Sequence, residues 1–81
     1  MPKARLKLPQ ELENLLASDW ERVLDEATLG AEDTTIARLY ILKQMPQIDI
    51  AVELNMDRST VSRRVDRIIT RACRVAEKLE L

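Results

Sequence analysis

Between Arg58 and Arg67 the chain sets four guanidinium groups, Arg58, Arg63, Arg64 and Arg67, among three short hydroxyl side chains, Ser59, Thr60 and Ser62. A guanidinium is a planar fork of N–H donors that stays charged at any ordinary pH, so it can grip a phosphate or the O6/N7 edge of a guanine. A serine or threonine beside it offers a hydroxyl without holding the backbone away from a partner. Upstream, Gln47 adds an amide at the expected start of a helix, where free backbone N–H groups also favour anions. These residue types point to recognition of a polyanion. Catalysis has much less to work with. The chain has no His, a single Cys (Cys73) and a single Gly (Gly30), which excludes a Cys/His zinc site, an internal disulfide and a glycine-rich phosphate cradle. The expectation is a protein that is not an enzyme and needs no metal or cofactor, with Cys73 as inert filler.

The elements that position these groups are expected to be helical throughout. Breakers are few, Gly30 with Pro2, Pro9 and Pro46, while Leu, Ala, Glu and Arg are abundant. Trp20 and Tyr40 are the only aromatic residues, so the core must be aliphatic, and both read as core. The expected fold is all-α with about five helices, residues 9–81 forming a single domain and residues 1–8 a flexible basic arm carrying Lys3, Arg5 and Lys7. Pro9 to Leu16 reads as a short first helix. A second begins at Ser18, which has capping-box spacing to Glu21. It carries the stripe Trp20, Val23, Leu24 and Ala27 and is closed by Gly30. A third runs from Ala31 to about Gln44, with Glu32 and Asp33 favouring its dipole. Ile36, Leu39, Tyr40 and Lys43 mark its face, broadened by Ile41 and Leu42. Pro46 breaks the pattern.

From Pro46 to Ile68 the sequence meets the physical demands of a helix-turn-helix, with helices at roughly 47–54 and 58–70. Ala51 is small where two helices must cross, and Ile50 and Leu54 are apolar anchors. Asn55 tolerates positive φ in the turn. Met56 can plug the angle between the helices, Asp57 is a preferred N-cap, and Val61 is the buried β-branched residue of the second helix. That helix divides cleanly at about 100° per residue. Val61, Val65 and Ile68 share one face, and Ser59, Thr60, Arg63, Asp66, Arg67 and Thr70 fall on the other.

The stretch EDTTIARLYILKQMPQIDIAVELNMDRSTVSRR resembles the helix-turn-helix of the fourth conserved region of bacterial sigma factors and of related small phage regulators. MDRSTVSRRVDRI resembles the recognition helix of multiple-antibiotic-resistance-type winged regulators. The chain departs from these patterns twice. Asn55 stands where the turn usually has glycine, and IITRACRVAEKLEL continues as helix where winged regulators have a β-hairpin, so no wing is expected. The resemblance implies sequence-specific binding of double-stranded DNA and transcriptional regulation in a bacterium or phage. The candidate contacts, read from the faces of the two helices, are Gln47, Arg58, Ser59, Thr60, Ser62, Arg63, Arg64 and Arg67, with Arg63 and Arg67 toward the groove and Arg58 and Arg64 on its flanks, for phosphates or for pairing with Glu53 or Asp66. Two other roles fit the same motif: a protein-interaction module for RNA polymerase or another partner, and a DNA-packaging or recombination accessory factor.

The net charge of -1 conceals a strong polarity. Residues 10–33 carry eight carboxylates against Arg22 alone, whereas residues 57–81 carry six arginines and Lys78 against four carboxylates. No segment is long and apolar enough for a membrane span, so a cytoplasmic location is expected. Val61, Val65, Ile68, Ala72, Val75 and Leu79 form a heptad-like seam along the last helix. Its second half needs cover, either from the acidic N-terminal helices or from a second copy in a homodimer, and a mixture of the two is the expectation.

Overall fold

The computed structural model describes Leu12 and residues 15–81. The expected basic arm, and the expected helix from Pro9 apart from Leu12, Leu15 and Leu16, lie outside the described residues. The described chain is all-α. Its elements are α1 (Ala17–Ala27), α2 (Ala31–Ala37) running directly into a π-helical turn (Arg38–Leu42), α3 (Gln47–Leu54) and α4 (Arg58–Lys78). Among the described residues no strand occurs, and no helix is long and apolar enough to cross a membrane.

α4 is the central element: α1, α2 and α3 each pack against it. The core is aliphatic apart from Trp20. Val23 and Leu24 come from α1, Ile36 and Ala37 from α2, Ile50 and Ala51 from α3, and Val61, Val65, Ile68, Ala72 and Ala76 from α4. Leu12 is completely buried in the same cluster. The seam of α4 is therefore buried within one chain at Val61, Val65, Ile68, Ala72 and Ala76. Val75 and Leu79, expected at its centre, lie at its margin, partly buried, and Ala76 takes the deepest position. Glu26 and Ala27 of α1 line a groove with Arg71, Arg74 and Lys78, so α1 runs beside the second half of α4. The small side chains of Ala72 and Ala76 let it come close.

Three local expectations are corrected. α1 begins one residue before Ser18, and its N-cap is Leu16. The Leu16 N–H donates to the Asp19 carboxylate at 3.1 Å, which leaves Glu21 free to pair across to Arg38. α1 also ends before Gly30: Thr28 adopts the left-handed conformation, φ 48°, and its hydroxyl donates to the Ala27 carbonyl at 2.7 Å. Gly30 instead precedes α2 with φ 89° and ψ 163°, a region essentially reserved for glycine. Gly30→Ala is expected to lower the free energy of unfolding by about 1–3 kcal/mol in urea titrations. The loss would be backbone strain alone, because a Cβ there meets nothing within 4 Å.

The third correction concerns the face of the helix after Gly30. The Lys43 N–H reaches back five residues to the Arg38 carbonyl, at 3.1 Å; the α-helix ends at Ala37 and the wide turn at Leu42, short of Gln44. One wide turn shifts the register. Ile36 and Ile41, five apart, are both buried, whereas Leu39 and Tyr40 are only partly so and Lys43 is exposed.

Arg38, the first residue of the π-helical turn, ties that turn to α1 by donating to both Glu21 carboxylate oxygens at 2.7 and 2.8 Å. This hydrogen bonding, more than the charge itself, holds the Glu21 carboxyl below its usual range and raises the Arg38 guanidinium. A carboxylate with a lowered folded-state pKa stabilises at pH above its unfolded value, and the contribution disappears as the pH falls through the lowered one. Glu21→Gln should therefore reduce stability at neutral pH and flatten part of the acid-side decline, a difference read from urea midpoints along a pH series. Both groups are about half exposed, so the effect should be small and should shrink with salt.

Candidate nucleic-acid interface

Pro46 has φ -59° and ψ 150°, the conformation of a residue just outside a helix, and its carbonyl accepts the first N–H groups of α3 from Asp49 and Ile50. α3 closes on Asn55, whose φ of 55° and ψ of 49° are left-handed. The Met56 N–H then returns to the Ala51 carbonyl at 2.9 Å and the Asn55 N–H to that of Val52 at 3.3 Å. This pair of bonds satisfies carbonyls that the helix end would otherwise orphan. Met56 follows, partly buried against the core. Asp57 occupies the N-cap of α4 as expected, but its side chain makes no capping bond. Its backbone carbonyl accepts the Val61 N–H instead, at 3.1 Å. The Asp57 carboxylate is left exposed, at the positive end of the helix dipole.

α4 turns Val61, Val65 and Ile68 inward and presents a shallow groove on its outer side, about 630 Å3 in volume, lined by Thr60, Arg63, Arg64, Asp66, Arg67 and Thr70. Of the residues singled out from sequence, the groove gathers Thr60, Arg63, Arg64 and Arg67. Arg58, Ser59 and Ser62 lie on the same helix outside the groove lining, and Gln47 stands partly buried at the first position of α3. Asp66 and Thr70 belong to the groove and were absent from the sequence-derived set, although their spacing to Arg63 and Arg67 already placed them on that face. The Thr70 hydroxyl is occupied locally, donating to the Asp66 carbonyl at 3.0 Å.

The arginines are not equivalent. Arg64 is tied to the first turn of α2: the same nitrogen lies 2.8 Å from Glu32 and 2.8 Å from Asp33. Hydrogen bonding to Asp33 raises its already high pKa. Both partners of Arg64 come from another helix, about 30 positions earlier in the chain. Among the described residues, ion pairs engage only Arg38 and Arg64. Arg63 and Arg67 are exposed and form none, so their donors face solvent. Geometrically this is a cationic surface on a rigid helix, with a hydroxyl at each end and one carboxylate within it.

The chain matches no known family model, no curated protein and no solved structure.

Proposed function

We propose that α3, the turn through Asn55 and α4 form a helix-turn-helix, and that the chain binds double-stranded DNA by laying the first turns of α4 in the major groove. The observation that carries this reading is the pair Arg63 and Arg67, exposed, without ion pairs among the described residues and lining one groove with Thr60. Unspent guanidinium groups on the outer face of a helix suit bidentate bonding to guanine or phosphate. Arg64 has a different role: held by Glu32 and Asp33, it fastens α2 to α4 and sets the angle at which the reading helix is carried. Arg58, Ser59 and Ser62 flank the groove as phosphate contacts, and the start of α3 at Gln47 supplies backbone N–H groups to the same strand. Transcriptional regulation in a bacterium or phage is the biological role that fits best.

The alternative in which acidic helices form the working surface for a protein partner is less well supported. Glu21, Glu32 and Asp33 are already engaged with Arg38 and Arg64. Selection of bound duplexes from a random pool, followed by salt titration of the winner, tests the proposal. The expected result is an enriched motif whose affinity falls steeply with salt. Failure to bind any duplex at low salt would overturn it. A two-fold motif would mean that two copies bind together.

A further inference from the structure

The cationic face of α4 does not stop where a major groove would. Arg63, Arg67, Arg71, Arg74 and Lys78 recur at spacings of three and four residues, which keeps them on one side of the helix. Arg67, Arg71, Arg74 and Lys78 line a second groove of about 440 Å3, together with Thr70, Val75 and the Glu26 and Ala27 of α1. With 21 residues, α4 is about 31 Å long, whereas a major groove is only about 12 Å wide. With the first turns of α4 inserted across the groove, its distal part extends beyond the bases to where the sugar-phosphate chain runs. The chemistry of the exposed face changes at the same point. Up to Thr70 it mixes hydroxyls with arginines; beyond Thr70 no Ser, Thr, Asn or Gln remains, so no short polar group is left to read a base edge. Arg71 and Arg74 form no ion pair among the described residues, although Glu26 shares their groove.

We propose that Arg71, Arg74 and Lys78 form a phosphate-binding groove with α1, gripping the backbone of the duplex read by Arg63 and Arg67, and that Glu26 attenuates this grip. The inference rests on the DNA-binding reading above. A lysine or arginine on a phosphate adds affinity for every sequence alike and steepens the dependence on salt. Glu26 would repel the same phosphate and keep non-specific binding in check.

The test is a salt titration of wild-type protein, Arg71→Ala/Arg74→Ala and Glu26→Gln against both a selected duplex and a random one. All the substituted side chains are exposed, and thermal melts confirm that each variant is folded. The double variant should show a slope of log K against log salt that is shallower by about 2, close to one unit per lost phosphate contact. Its ratio of specific to random affinity should be unchanged. Glu26→Gln should bind both duplexes several-fold more tightly. An unaltered slope in the double variant, with wild type binding normally, overturns this proposal and leaves the DNA-binding reading intact. A fall in the specificity ratio also overturns it, because it would assign base reading to these arginines. Absence of duplex binding by the wild type overturns both.

Discussion

Arg63→Ala and Arg67→Ala should each weaken binding to a selected duplex by about 1–3 kcal/mol, the range for one bidentate base contact. The double variant should lose about 2–6 kcal/mol if the two act independently. Binding to random duplex should suffer far less, so the quantity to measure is the ratio of the two affinities at a fixed salt concentration. Neither side chain is buried and neither forms an ion pair among the described residues, so thermal stability should stay within about 0.5 kcal/mol of wild type. That separates them from Arg64, whose removal leaves Glu32 and Asp33 facing each other without a cation and disturbs the α2–α4 contact. If Arg63→Ala weakens all sequences equally, Arg63 holds a phosphate and the base-reading role passes to Arg67.

The largest effect on stability is expected at Ile50. Ile50 is fully buried and lies on the face of α3 that packs against α4. Ile50→Ala should cost about 2–5 kcal/mol through lost burial and a residual cavity. A folded chain of this size has only about 4–12 kcal/mol to lose, so the midpoint of thermal unfolding should fall by more than about 10 °C. Ile48 provides an internal control. It sits two residues away on the same helix but is 54% exposed, and Ile48→Ala should move stability by less than about 0.5 kcal/mol. Equal effects at the two positions would mean that α3 turns a different face toward α4.

The parts of the molecule that could be read from sequence are those decided by neighbouring residues. Pro46 limits where α3 can begin, Asn55 can adopt the left-handed turn, and the spacing of Val61, Val65 and Ile68 fixes the inward face of α4. All three rest on local backbone and side-chain geometry. The turn after α1 shows where such reasoning fails. Gly30 is the obvious helix terminator, yet Thr28 closes the helix and Gly30 serves a conformation that only the next element requires. The π-helical turn is illegible for a related reason. A five-residue spacing is invisible to a 3.6-residue period, and Ile41 replaces Tyr40 in the core because of packing against other helices. The partners of Arg64 belong to the same class, since Asp33 is 31 positions away and nothing local distinguishes it from the other carboxylates of the N-terminal half. At the site itself, sequence identified the cationic face of α4, but tertiary structure separates the arginine that fastens the fold from those left facing solvent.

α4 is a single unbroken helix clasped by three others, and this has an entropic consequence. Arginine-rich segments that fold only on meeting their partner give up part of the interaction free energy to ordering. Here the backbone beneath Arg63, Arg67, Arg71 and Arg74 is already fixed by Val61, Val65, Ile68, Ala72 and Ala76 inside the core. On the proposed reading, only side-chain rotamers remain to be ordered on binding DNA. The fraction of molecules ready to bind is then close to the fraction folded, so occupancy should follow concentration and ionic strength without a prior conformational transition.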